Sequence, residues 1–219
     1  MATDPTAFAP RYLVVEGPIG VGKTSLAQRL ADVLGGLALL ERADENPFLE
    51  RFYRERRSVA LATQLQFLFQ RSRQLAEAGL DENARPGPVV ADFMPEKDRL
   101  FASLNLEADE LGLFEQVRAR FAPAVESPDL VLYLQAPADV LIERIRRRGR
   151  PQEAAVSMTY LQQLVDAYTA FFHHYDRSPL LIVNAAEFNP VERDEDFALL
   201  LDQIREPRGG RRYFNPARG

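Results

Sequence analysis

Apolar residues follow two alternating patterns along the chain. Short, almost continuous apolar runs suit buried strands, and longer stretches with apolar residues three or four positions apart suit helices. The five strand-like runs lie at about 11–16, 37–41, 89–92, 129–134 and 180–184. The helix-like stretches lie at about 22–34, 59–78, 106–121, 137–150, 160–175 and 191–204. Strands that alternate with helices predict an α/β fold, in which a five-stranded, doubly wound parallel sheet is flanked by helices.

The remaining segments indicate how the domain is organised. A length of 219 residues suits a single domain spanning 1–219. Residues 1–10 contain two prolines and residues 207–219 are rich in arginine and glycine, so we expect both ends to be flexible. Residues 79–88 read as a loop, and residues 93–99 read as a bend between the third strand and the next helix.

The segment Gly17-Pro-Ile-Gly-Val-Gly-Lys-Thr24 lies between the first predicted strand and the first predicted helix. It fits G-x-x-x-x-G-K-[ST], the phosphate-binding loop (P-loop), in the context that the motif requires. Glycines let backbone N–H groups converge on phosphate oxygens, Lys23 brings a positive charge to the outer phosphates, and Thr24 offers a hydroxyl to Mg²⁺. The sequence therefore predicts an ATP site formed by Gly17, Gly20, Val21, Gly22, Lys23, Thr24 and Ser25.

Two predicted strands end on a carboxylate. Glu41 ends the second strand and Asp92 ends the third. In an open parallel sheet, ligands lie beyond the carboxyl ends of the strands. Asp92 therefore suits Mg²⁺ next to the P-loop, usually with water between them. Glu41 lies where the reacting end of a nucleotide would lie, and a solvated glutamate at a strand end is the ordinary alternative.

The segment between the second and third strands carries aromatic and polar residues at helical spacing. Phe48, Phe52 and Tyr53 would share one face, which is more often a core face than a ligand platform. Gln64 and Arg71 lie two helical turns apart, so both side chains can face one cavity. On that spacing alone, a solvated polar face is the simpler interpretation.

Five arginines occur among the seven residues from Arg144 to Arg150. At the end of a helix, such a cluster can complement the helix dipole. A nucleic-acid patch is disfavoured because the chain is acidic and the cluster contains no interleaved aromatic residues. Since a P-loop is present elsewhere, we interpret residues 144–155 as an arginine-rich lid that closes over the phosphates being transferred.

Composition narrows the class of protein. The chain has no cysteine, which excludes a disulfide framework and thiolate chemistry. Its formal net charge of −5 argues against a nucleic acid or a membrane surface as partner. No apolar run is long enough to span a bilayer, and residues 1–10 lack the basic segment and apolar block of a signal peptide. We therefore expect a cytoplasmic protein.

The combination of motifs resembles the deoxyribonucleoside kinase family, most closely its bacterial deoxyguanosine and deoxyadenosine kinase branch. The motifs are the P-loop, Glu41, the stretch Asn46–Tyr53, the Gln64–Arg71 helix and the lid pattern Arg144-x-x-x-Arg-Gly-Arg-x-x-Glu153. The resemblance covers residues 11–184. It implies a P-loop kinase fold and transfer of the γ-phosphate of ATP, with Mg²⁺, to the 5′-hydroxyl of a deoxyribonucleoside in nucleotide salvage. It favours a purine substrate and a homodimer.

The resemblance also implies roles for individual residues. Glu41 would take the proton from the 5′-hydroxyl, while Lys23 supplies charge to the transferred phosphoryl group. Arg144 would lie near the base of ATP, and Arg148 and Arg150 would bind its phosphates. The acceptor's 3′-hydroxyl and base would be held by two sets of residues: Tyr53 and Glu153 at the hydroxyl, and Gln64, Arg71 and Asp98 at the base.

One departure from the family pattern concerns position 93. Many family members carry Glu-Arg or Asp-Arg after the third strand, and that arginine lies near the 5′-hydroxyl. Here the pair is Asp92-Phe93. The sequence therefore leaves open which group orients the 5′-oxygen.

Two other functions are compatible with the sequence. A nucleoside monophosphate kinase of the thymidylate kinase type has the same fold and also a lid, and Arg51, Arg54 and Arg71 would then bind the phosphate of the acceptor. A P-loop switch protein, in which the nucleotide state controls a partner, needs no acceptor pocket. The set of Tyr53, Gln64, Arg71 and Glu153 would then be unexplained.

Overall fold

The computed structural model describes residues 10–80, 87–206 and 209–216. Within these ranges the strands are β1 Tyr12–Glu16, β2 Leu37–Leu39, β3 Val89–Ala91, β4 Leu130–Gln135, β5 Leu180–Asn184 and β6 Arg211–Phe214. The helices are α1 Lys23–Leu34, α2 Leu49–Arg54, α3 Arg56–Glu77, α4 Glu96–Asn105, α5 Ala108–Phe121, α6 Ala138–Arg148, α7 Met158–His174 and α8 Asp194–Arg205. Strands and helices alternate as the sequence predicts, which confirms the α/β fold.

The strands form one parallel sheet in the order β2-β3-β1-β4-β5-β6. β1 lies inside the sheet, where Val14 is paired with Ala91 of β3 and with Val131 of β4. The chain turns to one side of β1 for β2 and β3 and to the other side for β4 to β6. This reversal brings the carboxyl ends of β1, β2 and β3 together, which is where ligands bind in sheets of this type.

Side chains of β1 alternate between two apolar cores. Leu13 and Val15 face α1, α6 and α8 on one side of the sheet. Tyr12 and Val14 face α7 on the other side, where the rings of Tyr133 and Phe172 stack at 4.2 Å between centroids. Because both faces of β1 are covered, every residue of the strand before Glu16 is apolar. Glu16 ends the strand, and the P-loop follows directly after it.

The sheet has six strands among the described residues, and the prediction of five is wrong. β6 pairs in parallel with β5 and lies in the segment that we expected to be a flexible end. The ring of Phe214 packs on Phe188 at 5.3 Å, and Arg211 donates hydrogen bonds to three carbonyl groups at the end of α7. The rest of the expected flexible ends, 1–9, 207–208 and 217–219, lies outside the described residues, as do loop residues 81–86.

The expected bend at 93–99 is also wrong, because α4 begins at Glu96. Pro95 precedes it with φ of −58°, and acidic side chains occupy the first turn, both of which favour a helix start. Extended backbone at Leu106 separates α4 from α5. α4 therefore carries Lys97 and Asp98 on its first turn, and both are buried.

Helix α3 is 22 residues long, and its buried face is mixed rather than apolar. It buries Gln64 and Arg71 together with Phe67 and Leu68. The solvated polar face that spacing alone suggested is therefore wrong. In the described parts of the chain, no helix combines the length and the apolar character that crossing a membrane requires.

Candidate active site

The P-loop connects β1 to α1 through three glycines with positive φ. Gly17, Gly20 and Gly22 have φ of 147°, 86° and 103°. A Cβ on Gly17 would lie 2.4 Å from the carbonyl oxygen of Leu134 in β4, so only glycine fits there. The loop borders an outer trough of about 270 Å³. Its lining residues are Gly20, Val21, Gly22, Ser25, Arg144, Arg147, Arg148, Asn189, Val191 and Glu192.

Lys23 and Thr24 turn from the P-loop toward the ends of the strands. The ammonium of Lys23 donates to the carbonyl of Pro18 at 3.1 Å. Burial, together with the like charge of Lys97, lowers the pKa of Lys23 to about 8 against the opposing effect of nearby carboxylates. The hydroxyl of Thr24 donates to Asp92 at 2.5 Å, and the other oxygen of Asp92 accepts from the backbone N–H of Glu41 at 2.6 Å.

The chemistry of Thr24 and Asp92 fits a magnesium ion. Mg²⁺ usually keeps several waters and takes one or two carboxylates plus phosphate oxygens, rather than a cage of protein ligands. In the described ranges, no group of three or more Asp, Glu or His side chains is suited to a metal ion. A hydroxyl and a carboxylate next to the P-loop are the donors that a nucleotide-bound ion requires.

Glu41 is held by two cations. Its Oε1 accepts from Nε of Arg71 at 2.7 Å and lies 2.6 Å from Nη2 of the same side chain. Its Oε2 accepts from the ammonium of Lys97 at 3.0 Å. Burial by itself would raise the pKa of Glu41, but the attraction of Arg71 and Lys97 outweighs it and lowers this pKa to about 2. Glu41 is therefore ionised, and in this arrangement it is a very weak base.

Arg71 links Glu41 to Asp98. The third nitrogen of its guanidinium, Nη1, pairs with the carboxylate of Asp98, and both side chains are almost completely buried. Burial opposes the charge of Arg71, but the two carboxylates raise its pKa. The structure thus brings together Glu41, Arg71 and Asp98, which come from a strand end and two helices.

A second, inner cavity lies between the strand ends, α2, α3 and the lid. Its volume is about 80 Å³. It is lined by the predicted site residues Lys23, Thr24, Glu41, Tyr53, Gln64, Arg71, Asp92, Arg148, Arg150 and Glu153, and also by Lys97. The outer trough and the inner cavity share Gly20 and Arg148. A donor phosphate in the trough and an acceptor in the cavity would therefore meet at the P-loop.

Tyr53 and Gln64 present polar groups to the inner cavity. Burial raises the pKa of Tyr53 well above its usual value, so its hydroxyl keeps its proton. Gln64 is 2% exposed, and its amide makes no hydrogen bond to any other residue that the structure describes. Phe52 belongs to the apolar core beneath the cavity and also lines the cavity. The aromatic stripe of this segment therefore serves both as core and as cavity wall.

The lid covers both compartments. Arg144 donates to the carbonyl groups of Ala185 and Ala186 at 2.8 and 3.1 Å and lines the outer trough. Arg148 pairs with the buried carboxylate of Glu153. Beyond them, Gln152 donates to Asp44, which joins the end of the lid to the segment before α2.

The arginines that a monophosphate acceptor would need do not come together. Arg51 and Arg54 are exposed on α2, and Arg54 pairs with Glu50 at 2.6 Å. Neither borders the inner cavity as far as the described residues define it. Arg71 does border the cavity, but two carboxylates neutralise it.

Sequence reasoning missed two charged residues of the site. Lys97 was assigned to a bend, although the Pro95-Glu96 pair before it signals a helix start. Glu16 accepts hydrogen bonds from the N–H groups of Gly17 and Met94, and burial raises its pKa. The position of Glu16 in the sequence is informative, because a carboxylate that ends an apolar strand directly before the P-loop is expected to lie close to the bound phosphates.

Comparisons with known proteins identify relatives by sequence and by fold. Deoxyguanosine kinase of Bacillus subtilis is 31% identical over 157 residues, which cover 72% of this chain and 76% of that relative. Deoxyadenosine kinase of Lactobacillus acidophilus is 27% identical over 195 residues, or 83% and 88% of the two chains. The same fold occurs in the solved structure of deoxyadenosine kinase from M. mycoides with bound dATP, for which the TM-score is 0.75. The two sequences are 24% identical, and the match covers 88% of this chain and 98% of that one.

A family model described as "Deoxynucleoside kinase" matches residues 13–207. The match begins within β1 and therefore includes the P-loop, both strand-end carboxylates, the inner cavity and the lid. It extends through α8, beyond the range 11–184 over which the motifs alone carry the resemblance. This chain therefore belongs to the deoxynucleoside kinase family.

Proposed function

We propose that this protein transfers the γ-phosphate of ATP to the 5′-hydroxyl of a purine deoxyribonucleoside and releases the 5′-monophosphate in the cytoplasm. The observation that carries the proposal is the position of Glu41, whose side chain is 17% exposed and lines a cavity that opens onto the P-loop. A carboxylate there can accept a proton from a hydroxyl but would repel an acceptor phosphate. The site is therefore built for a neutral alcohol.

Phosphoryl transfer depends mainly on the positioning of the reactants and on charge stabilisation. The residues around the cavity would have three different roles in it. Glu41 would accept the hydroxyl proton late, as the new bond to phosphorus forms. Lys23, Arg148 and Arg150 would offset the negative charge of the moving phosphoryl group. The closed lid would exclude water, which otherwise competes as acceptor.

Thr24 and Asp92 would hold Mg²⁺ between the P-loop and β3. The ion, when bound, would neutralise part of the phosphate charge. The role of the chain is to fix the two oxygen donors, and the hydrogen bond from Glu41 N–H to Asp92 does this for the carboxylate. The same bond ties the orientation of Asp92 to the position of the proposed base.

The inner cavity must expand before it can hold a nucleoside. Its volume of about 80 Å³ corresponds to about three water molecules, whereas small-molecule sites usually measure about 300–1,000 Å³. We infer that the contact between Gln152 and Asp44 opens to admit the acceptor. Arg71 would also shift away from Glu41, since its side chain lines the same small cavity. Its second partner, Asp98, stays available to hold it.

The assignment of a purine rests on the relatives and on Gln64. A carboxamide presents an NH₂ group that donates and a carbonyl oxygen that accepts, and a base edge with a complementary acceptor and donor binds both. The free amide of Gln64 offers both groups to the cavity. The relatives include deoxyguanosine and deoxyadenosine kinases, and also a deoxyadenosine/deoxycytidine kinase from Bacillus subtilis.

The experiment is to measure ADP release from Mg·ATP with each of the four deoxyribonucleosides, with dTMP and adenosine as controls. We expect a signal with deoxyguanosine or deoxyadenosine and a much smaller one with adenosine. A signal with a pyrimidine deoxynucleoside alone would overturn the purine assignment. A signal with dTMP alone would overturn the alcohol acceptor, and ATP binding without acceptor-dependent ADP release would indicate a switch protein.

We also propose that two copies associate through a groove between α4, α5 and α7. The groove measures about 520 Å³ and is lined by the half-buried apolar residues Leu100, Leu104 and Phe171. Homodimers are common in the family that the motifs resemble, and a second copy would cover these side chains. Sedimentation velocity should give a dimer for the natural chain and a monomer for Phe171→Glu. A natural chain that is monomeric at all concentrations would overturn the proposal.

A further inference from the structure

Position 93 contributes no polar group to the site. Phe93 is completely buried in the apolar core on the α7 side of the sheet. The positive charge nearest to Glu41 from this part of the chain comes from Lys97, in the first turn of α4. Only 4% of the Lys97 side chain is exposed, and its ammonium borders the inner cavity.

Lysine is rare in this chain, and its two lysines lie at the same site. Of 27 basic residues, 25 are arginine, and the two lysines are Lys23 and Lys97. Both line the inner cavity. An ammonium is a compact charge with three N–H donors, whereas a guanidinium is a planar fork that suits carboxylates and phosphates. A chain that uses arginine almost everywhere else thus has both of its ammonium groups on residues that line the inner cavity.

The two oxygens of Glu41 differ in their partners. Oε1 is occupied by Arg71, whose Nε and Nη2 lie 2.7 and 2.6 Å away. Among the described residues, Oε2 accepts a hydrogen bond from Lys97 alone, so it keeps capacity for one more. Oε2 is therefore the oxygen that is ready to accept an acceptor hydroxyl.

The position of Lys97 brings its ammonium within reach of that hydroxyl. Nζ and Oε2 are 3.0 Å apart, and Nζ uses one of its three N–H groups on Glu41. A hydroxyl oxygen of the acceptor that donates to Oε2 at about 2.7 Å can therefore also lie within about 3 Å of Nζ. The three atoms, Nζ, Oε2 and the hydroxyl oxygen, would then form a triangle. One oxygen would then donate to Glu41 and accept from Lys97.

We propose that Lys97 is a further catalytic residue, whose ammonium donates a hydrogen bond to the 5′-oxygen of the acceptor while Glu41 accepts the hydroxyl proton. The proposal rests on the proposed function. The bond from the 5′-oxygen to the γ-phosphorus forms, the bond from that phosphorus to the leaving oxygen of ADP breaks, and the proton passes to Glu41. Lys97 keeps its three protons throughout and fixes the direction of attack.

A binding experiment separates this role from simple support of Glu41. The ligands are 2′-deoxyguanosine and 2′,5′-dideoxyguanosine, which lacks only the 5′-oxygen, and the proteins are the natural chain and Lys97→Met. We expect the natural chain to bind deoxyguanosine about 10-fold more tightly than the analogue, the effect of a hydrogen bond to a charged group. In Lys97→Met the ratio should fall at least about threefold, since only the hydrogen bond to Glu41 remains. A ratio unchanged by the substitution, or no preference in the natural chain, would overturn the proposal.

A kinetic experiment on the same variant provides the second measurement. Lys97→Met should lower kcat about 100-fold while the KM for ATP changes less than about threefold. Arg99→Met is the matched control, since it removes a cation from the same helix, but one whose side chain is 70% exposed and pairs with Glu115. It should keep the kcat of the natural chain. Equal losses of kcat in both variants, or a full kcat in Lys97→Met, would overturn the role of Lys97.

The outcomes also separate the two proposals. Absence of turnover by the natural chain with every deoxynucleoside would refute the proposed function, whatever the variants do. Normal turnover by the natural chain and by Lys97→Met would refute the role of Lys97 alone. Thermal unfolding of each variant shows whether a loss of turnover reflects loss of fold.

Discussion

Replacing Glu41 by glutamine tests both the ion pairs and the proposed chemistry. The change removes one negative charge and keeps the shape of the side chain. It leaves Arg71 with Asp98 as its remaining carboxylate and takes the carboxylate partner from Lys97. A cation that stays buried after losing its partner is costly. We therefore expect Glu41→Gln to lower both the free energy of unfolding and the rate of transfer.

The pKa of Glu41 gives the size of the stability effect. Its ordinary value of 4.5 falls to about 2 in the folded chain. Since one pKa unit corresponds to about 1.4 kcal/mol, the ionised carboxylate contributes about 3 kcal/mol to folding. Only 17% of the side chain is exposed, so solvent screening reduces this figure little. Because the unfolded chain binds the proton more readily, the contribution is complete above pH 4.5 and is lost as pH falls toward 2.

Urea unfolding at several pH values is the assay for this effect. At pH 7, Glu41→Gln should unfold with a free energy about 3 kcal/mol below that of the natural chain. The difference should narrow as the pH is lowered from 5 toward 3. Glu45→Gln is the matched control, because its carboxylate is 54% exposed and lies 3.7 Å from Arg42. It should change the free energy of unfolding by less than about 0.5 kcal/mol.

The same variant should lose about 10²–10⁴-fold in kcat, the usual effect of removing a general base, while ATP still binds. Two results would refute the reasoning. A free energy of unfolding equal to that of the natural chain at every pH would mean that the pairs with Arg71 and Lys97 stabilise nothing. Undiminished turnover would remove Glu41 as the base.

Three further substitutions test other parts of the site and the fold. Tyr53→Phe should weaken deoxynucleoside binding about fivefold and leave ATP affinity alone; an equal loss for both would indicate packing. Gly17→Ala should lower the free energy of unfolding by about 3 kcal/mol, because the new Cβ would clash with the carbonyl oxygen of Leu134. Gly35→Ala is the control, since Gly35 also has a positive φ, of 65°, but no described atom within 4 Å of the new Cβ; it should lower the free energy of unfolding by about 1 kcal/mol. Arg211→Met should cost about 1 kcal/mol in urea unfolding, and no change would show that β6 does not support α7.

The parts of the site that the sequence predicts are those carried by contiguous motifs or by strand ends. The P-loop residues lie within one segment, so their spacing identifies them without knowledge of the fold. Glu41 and Asp92 follow apolar runs, and parallel strands bring their carboxyl ends to one edge. The structure places both at the inner cavity, where the sequence puts them.

The parts that the sequence does not predict depend on contacts between distant segments. β6 consists of two arginines followed by Tyr213 and Phe214, and its strand pattern is hidden because Arg211 and Arg212 bond to the ends of α7 and α8. Lys97 looks like part of a polar bend until α4 is folded against α3. Spacing alone assigns Arg71 to a solvated face, and only Glu41 and Asp98 explain its burial.

The ion pairs of Glu41 couple acceptor binding to the release of the base. Before an acceptor binds, the pKa of about 2 makes Glu41 a poor proton acceptor, which would limit the activation of water as a competing acceptor. On the proposed function, an acceptor that fills the cavity would shift Arg71 toward Asp98, and the loss of that cation would raise the pKa of Glu41. The base thus gains strength only when an acceptor is in place. Under the proposed role of Lys97, the charge that remains next to Glu41 would be an ammonium that also binds the 5′-oxygen, since Lys97 bonds to Oε2 and Arg71 to Oε1.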